Sequence, residues 1–252
     1  MVDVANQELR QRLVEAVGRL MSVRRGPGEK MLLDLPVVYP SGSSAVVDVE
    51  INGDKIWVSD MGMGHTEALM MGAVDSYQHV ARGKAAEFGV GYDGGAMFVL
   101  WAPVERIEAA ISCVANASAQ AAADAVRLAA EVRHKKQEDA IFEKVTRIFG
   151  NRSVTKSYEL SGKRSSWEAH NVVRFPNGRG AIFEPMSKQH VSVSSKFLMF
   201  SDLREARIGF SLNAVVESIK GLDAKAQMVG DVANILELAA ADEVFRQYGE
   251  AS

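Results

Sequence analysis

Three strand-like runs joined by two polar turns constrain the fold of this chain more than any other stretch. Each run alternates β-forming and polar side chains, which is typical of strands with one buried face. The turns are Ser161-Gly-Lys-Arg164 and Pro176-Asn-Gly178. In the middle run the alternation places Trp167, Asn171 and Val173 on one face. The predicted strands comprise residues 154–160, 167–175 and 180–184.

Helical patterns flank these strands. Residues 140–149 place apolar side chains at helical spacing and end at Gly150. Residues 194–207 form the next predicted helix. The remaining predictions are a strand over 214–218, a helix over 224–232 and a short strand over 235–238. Helix, three strands, helix and strand is the element order of the restriction-endonuclease-like core, which this segment resembles.

That resemblance raises the question of metal-dependent phosphodiester cleavage. Such cleavage needs one acid on the second strand and one on the third, to hold Mg²⁺, and a lysine two residues after the latter. Glu168 and Glu184 are the candidate acids. Position 186 is methionine, so Lys188 is the candidate displaced lysine. The alternative is that the two glutamates are surface residues on strands.

The same part of the chain is basic. Between residues 144 and 196 ten Lys and Arg residues stand against three acids, an excess typical of phosphate-binding surfaces. The alternative is a solvated face whose charge is balanced elsewhere in the fold. The candidate nucleic-acid ligands are Lys163, Arg164, Arg174, Arg179 and Lys188.

Length and composition predict two α+β domains in 252 residues. Residues 1–134 are expected to form an antiparallel strand meander with helices, and residues 140–252 a mixed-sheet domain. The charged segment 135–139 is the predicted hinge between them. The single cysteine, Cys113, excludes an internal disulfide and favours a reducing, cytoplasmic location. No apolar run approaches the ~20 residues of a membrane span, so no membrane partner is expected.

The first predicted domain has one candidate site. Asp60, Gly62, Gly64 and His65 connect a predicted strand to a helix. Glycines at a helix N-terminus can bring backbone amides to an anion. The alternative is that Asp60 caps the helix and both glycines relieve positive φ angles.

An Ala-rich helix is predicted from residue 104 to about residue 134. Its run 119–125 has mostly small side chains, which let a second helix approach closely. The prediction is a homodimer formed through this run.

Several short motifs together resemble a tandem pair of domains of unknown function found in bacterial and phage proteins. The motifs are Ile56-Trp-Val-Ser-Asp-Met-Gly62, Ser161-Gly-Lys-Arg-Ser165 and Phe200-Ser-Asp-Leu-Arg-Glu205. The resemblance covers most of the chain and implies a two-domain layout and a prokaryotic or viral source. Where that family tends to carry an acid on the second strand, this chain has Asn171 or Val172.

Three functions remain open from the sequence. The first is a phage or mobile-element binding protein without catalysis, whose partner is nucleic acid or a host protein that handles nucleic acid. The second is a Mg²⁺-dependent nuclease with a displaced lysine. The third is a dimeric structural adaptor. Only the second requires a cofactor.

Overall fold

The computed structural model describes residues 2–26 and 30–250, and within these the chain divides into two compact units. The first extends to Glu131 and the second begins at Val132. The first unit has an antiparallel sheet and the second a mixed sheet, each with helices. The predicted two-domain α+β class is confirmed.

The first unit contains six strands, all paired antiparallel, and three helices that precede the long helix α4. The order across its sheet is β1-β2-β3-β4-β6-β5. A 3-10 turn, Val104–Arg106, leads into α4. The elements are α1 (Val2–Arg19), β1 (Ser22–Arg25), β2 (Met31–Val38), β3 (Ser44–Asn52), β4 (Lys55–Ser59), α2 (Met63–Met70), α3 (Val74–Phe88), β5 (Gly91–Tyr92), β6 (Phe98–Pro103) and α4 (Ile107–Phe149).

The alanine run of α4 belongs to the core of the first unit. Ala121, Ala122 and Ala125 are fully buried, and they lie in the same cluster as Tyr77 and Phe98. Small side chains let α4 pack closely on its own chain, so these surfaces are already covered. The run fills an interior, which leaves little surface for the predicted homodimer contact through residues 119–125.

Helix α2 lies very close to its neighbours at Gly64. A Cβ atom added there would lie 2.5 Å from Ser118 Oγ, 2.7 Å from the Tyr77 hydroxyl oxygen and 2.8 Å from the Ser118 carbonyl oxygen. Gly62 has the expected positive φ of 74°, whereas Gly64 does not have a positive φ. Gly64 is therefore required for close packing against α3 and α4, and not for an unusual backbone conformation.

The predicted hinge at residues 135–139 is helical. Helix α4 continues through it for 43 residues in all, and the boundary between the two units falls inside the helix. The hinge prediction was wrong because Lys, Gln and Glu are good helix formers and the segment contains neither Gly nor Pro. Neither α4 nor any other helix within residues 2–26 and 30–250 is long and apolar enough to cross a membrane.

The second unit packs a five-stranded sheet between helices. Strands β7 (Val154–Ser161), β8 (Ser166–Arg174) and β9 (Gly180–Pro185) form an antiparallel meander, and β10 (Phe210–Val216) and β11 (Asn234–Glu237) add parallel strands beyond β9. The sheet order is β11-β10-β9-β8-β7. Every residue of the central β9 is buried, as expected of a strand covered on both faces. The helices are α5 (His190–Ala206), α6 (Ala224–Gln227) and α7 (Asp242–Glu250).

Strand β8 does not alternate regularly as predicted. Asn171 has a left-handed φ of 51°, and the pairing of β8 with β9 is regular only from Val172 onward. Trp167 therefore packs in the core cluster on the α5 face, whereas Val173 packs in the cluster on the α4 and α7 face. The predicted common face for Trp167, Asn171 and Val173 is wrong because this one residue reverses the alternation.

We predict that Gly64→Ala destabilises the first unit by roughly 1–3 kcal/mol, because the added methyl group meets backbone and buried hydroxyl groups. Gly83→Ala is the matched control, since Gly83 lies in α3 with nothing within 4 Å of its Cβ position. That substitution should raise the free energy of unfolding of the first unit by about 0.5–1 kcal/mol. Urea denaturation of both variants provides the measurement. Equal stability of the two variants would contradict the close contact at Gly64.

Candidate functional site

An exposed group of four arginines lies where several backbone segments of the second unit meet. We call these residues the arginine cluster. Hydrogen bonds between the segments hold them together: Arg174 N donates to Ser153 O, Phe175 N to Arg179 O and Gly180 N to Gly209 O. The members of the cluster are Arg152, Arg174, Arg179 and Arg207.

The guanidinium groups of the cluster are available for contacts. Arg174 lies over the ring of Tyr158, with its Cζ atom 4.8 Å from the ring centroid. None of the four arginines has an acidic partner among residues 2–26 and 30–250. An open groove of about 520 Å³ borders Arg207, and its lining includes Phe210, Tyr248 and the acid Asp231. Planar guanidinium groups suit bidentate contacts with phosphate.

The five predicted nucleic-acid ligands do not form one surface. Arg174 and Arg179 belong to the arginine cluster, whereas Lys163 and Arg164 lie in the turn at the opposite end of the β7–β8 hairpin. Lys188 donates from Nζ to the Lys220 carbonyl oxygen at 2.8 Å. Arg207 was not predicted as a ligand, because it lies outside the basic stretch of residues 144–196.

Acids from outside the basic stretch balance much of its charge. Asp139, Glu205 and Asp242 all lie beyond residues 144–196 but pair with cations within them. The alternative of a charge balanced elsewhere in the fold therefore holds for these positions. The pairs are Arg147–Asp242 at 2.9 Å, Lys163–Glu205 at 3.3 Å, Arg164–Glu205 at 3.0 Å and Lys156–Asp139.

Asp202 fixes the turn that carries Lys163 and Arg164. Its carboxylate accepts hydrogen bonds from Trp167 Nε1 at 2.8 Å and from the backbone amides of Arg164 and Ser165 at 2.9 and 3.1 Å. The Trp167 indole, followed by these amides, lowers the pKa of Asp202. This contact joins the motifs around residues 161–165 and 200–205, which gives both a structural explanation.

A second polar group surrounds Glu184, the candidate acid of the third strand. Glu184 is fully buried, and its carboxylate accepts hydrogen bonds from the backbone amide of His170 and from Lys196 Nζ on α5. The His170 ring lies between two acids: Nδ1 is 3.4 Å from Glu184 Oε2, and Nε2 is 3.9 Å from Glu138 Oε1 on α4. We call Glu138, His170, Glu184 and Lys196 the Glu184 cluster.

The pKa shifts in the Glu184 cluster follow from these contacts. Burial alone would raise the pKa of Glu184, but His170 and Lys196 outweigh it and hold that pKa below its usual value. The hydrogen bond to Glu184 raises the pKa of His170, against the opposing effect of burial. The cluster therefore favours an ionised Glu184 and a protonated His170.

The residues of the Glu184 cluster do not fit Mg²⁺. That ion prefers an octahedral set of carboxylate and water oxygens. Here both oxygens of Glu184 already accept hydrogen bonds, and a histidine occupies the place of a second acid. In the described ranges, no group of three or more His, Cys, Asp and Glu side chains is placed to hold a metal ion.

The other predicted members of this site lie elsewhere. Glu168 is exposed on β8 and accepts a hydrogen bond from Ser157, so it is not part of the Glu184 cluster. Lys196, and not Lys188, is the lysine that contacts Glu184. Spacing along the sequence offered no signal for Lys196, because it reaches Glu184 from a different secondary-structure element.

In the first unit Asp60 caps a helix. Its carboxylate is buried and accepts hydrogen bonds from the amides of Gly62, Gly64 and Phe98 and from Ser118 Oγ, at 2.6–3.3 Å. Burial raises the pKa of Asp60, although these four donors oppose the shift. The backbone amides that an anion would need already donate hydrogen bonds to the Asp60 carboxylate. The geometry therefore supports the capping role.

His65, the remaining candidate, packs against an aromatic ring. It is half-buried on α2, and its ring lies edge-on to Tyr77 with the centroids 5.6 Å apart. Within the described part of the chain, His65 belongs to no group of three or more His, Cys, Asp and Glu side chains placed to hold a metal ion. The structure thus gives His65 a packing contact.

Comparisons with protein-family models, with curated proteins and with solved structures found no match for this chain. The resemblance to the tandem domains and to the nuclease-like core therefore remains an expectation from the sequence. The arginine cluster and the Glu184 cluster are the features of this chain on which a function can be proposed.

The Glu184 cluster predicts a specific pH dependence of stability. His170 has a raised pKa, so its contribution is complete below the unfolded value of about 6.5 and is lost as pH rises through the folded value. Glu184 has a lowered pKa, so its contribution is present above about 4.5 and is lost as pH falls through the folded value. Both contributions are present together between about pH 4.5 and 6.5.

We therefore expect His170→Gln to lower the melting temperature of the second unit by several degrees at about pH 5.5 and by much less at about pH 9. Trp167 is the only tryptophan of that unit, so its fluorescence in a Trp57→Phe/Trp101→Phe background follows the transition. His190→Gln is the control, since His190 is exposed at the start of α5. A pH-independent effect of His170→Gln would contradict the ion-pair geometry.

Proposed function

We propose that the second unit binds the phosphate backbone of nucleic acid through the arginine cluster, without catalysis. The observation that carries this proposal is the presence of four exposed arginines on segments bonded to one another, with no acidic partner in the described residues. Exposed cations without carboxylate partners are the groups that contact phosphate and release counterions. The other cations of the basic stretch contribute less, because carboxylates or carbonyl groups already engage most of them.

The positions of the four arginines in the fold support binding to the phosphate backbone without selection of a base sequence. Arg152 and Arg179 lie in turns, and Arg174 ends a strand, so the cluster presents side chains from loops and not a recognition helix. Phosphate contacts of this kind position a nucleic acid without reading its bases. Tyr248 and Phe210, in the groove beside Arg207, offer apolar surface on which an unpaired base could stack.

The nuclease alternative has one observation in its favour and one against it. Lys196 reaches Glu184 from α5, as a displaced lysine would. The residue facing Glu184 is His170, however, and the donor set does not fit Mg²⁺. We therefore propose binding as the function and treat cleavage as the alternative that a Mg²⁺-dependent digestion assay would reveal.

The test compares two double variants in salt-dependent binding to a short DNA duplex. Arg152→Gln/Arg179→Gln removes two free guanidinium groups and should reduce the slope of log K against log salt by about two. Lys163→Gln/Arg164→Gln removes the same charge from side chains that already pair with Glu205, so its slope should stay close to that of the unmodified protein. Fluorescence anisotropy at several salt concentrations gives both slopes.

An equal decrease of the salt slope in the two double variants would show that the arginine cluster has no special role in binding. If the unmodified protein fails to bind single- or double-stranded DNA or RNA at low salt, the proposal fails. A protein partner, such as a host protein that handles nucleic acid, would then be the better explanation.

A further inference from the structure

The N-terminal helix has an apolar stripe that its own chain does not cover. Leu13 and Val17 of α1 are each 56% exposed, and the other large apolar side chains of the stripe are exposed to a similar extent. An isolated helix of 18 residues is marginal in water, so α1 needs a packing partner to be stable. The exposed apolar side chains that we call the stripe are Leu9, Leu13, Val14 and Val17 of α1, and Leu20 and Met21 directly after it.

The same unit contains an apolar groove that is also uncovered. The groove has a volume of about 490 Å³ and lies between strands β1 to β3 and the start of α4. Ile51, on its wall, is 67% exposed. The apolar lining includes Val23, Met31, Leu33, Ile51, Ile107 and Ile111.

We propose that the chain forms a two-fold symmetric dimer in which α1 of each protomer packs into the apolar groove of its partner. Each chain supplies one stripe and one groove, and a two-fold axis covers all four surfaces at once. A partner of different chemistry would cover only one of the two. This inference is independent of the proposed nucleic-acid binding.

The available area is sufficient for a stable dimer. Each apolar side chain of the stripe offers roughly 60–120 Å² for burial. Two stripes and two grooves together bury on the order of 1,500 Å², which is the size of a standard specific interface. The interface would involve surfaces separate from the buried alanine run of α4.

Charge does not contribute to this pairing. Helix α1 contains three arginines, Arg10, Arg12 and Arg19, and three acids, Asp3, Glu8 and Glu15, so its formal net charge is zero. The pairing therefore depends on the exposed apolar side chains of the stripe and the groove.

Sedimentation velocity of the full chain tests the dimer. The unmodified protein should sediment as a dimer at about 50 μM, well above the dissociation constant of a weak dimer. Leu13→Glu in the stripe and Ile51→Glu in the groove should each raise the dissociation constant roughly 30-fold or more. Both side chains are more than half exposed, so neither substitution should unfold the protomer, which circular dichroism verifies.

Leu198→Glu is the matched control. Leu198 is 61% exposed on α5 of the second unit, so the same change there should leave the dimer intact. Mixing the Leu13→Glu and Ile51→Glu proteins adds a sharper test. One intact stripe and one intact groove remain in such a pair, so the mixture should re-associate although each variant alone is monomeric.

Three results would overturn the proposal. A monomeric unmodified protein at this concentration would do so, including one whose α1 binds anionic vesicles instead. A dimer insensitive to both substitutions would place the contact elsewhere. Failure of the mixture to re-associate would show that the stripe of one protomer does not pack in the groove of its partner.

Discussion

The carboxylate of Glu184 completes a strand pairing that the backbone cannot complete by itself. At Asn171 the chain of β8 turns into a left-handed conformation, and its regular pairing with β9 ends. The amide of His170 then donates to the Glu184 side chain, and the Asn171 side-chain amide donates to the Phe183 carbonyl oxygen. A buried charge is tolerated there only because Lys196 and His170 stand beside it.

This local irregularity organises the rest of the second sheet. It reverses the faces of β8, so that Trp167 packs beneath α5 while Val173 packs beneath α4 and α7. The same reversal places Arg174 on the side of Tyr158, over whose ring its guanidinium lies. The position of Arg174 over Tyr158 and the buried ion pair of Glu184 are thus two results of a single departure from strand alternation.

The sequence predicted elements whose pattern is local. Strands β7 to β9 were predicted closely, because alternation and glycine-containing turns define them. Helix α7 was not predicted. The reversal at Asn171 has no signature in a single sequence, since asparagine occurs in many regular turns and strands. The sequence analysis did not predict that α4 is continuous, because the charged residues 135–139 were interpreted as a hinge.

The functional sites were harder to predict from the sequence than the strands, because tertiary structure brings their residues together. Glu184 was predicted as a metal-binding acid, but its ion-pair partners are His170 of β8 and Lys196 of α5, and Glu138 of α4 lies on the other side of the His170 ring. No short sequence motif contains this combination. The basic stretch was recognised from composition alone. Which of its cations remain unpaired depends on acids such as Asp242, far away in sequence and adjacent in space.

The continuity of helix α4 affects any attempt to produce the two units as separate fragments. Its alanines fill the core of one unit, while Ile141 and Val145 fill the core of the other. A cut between them would expose four unpaired carbonyl groups on one fragment and four unpaired amide groups on the other. Each fragment would therefore need a new cap at the cut end of the helix.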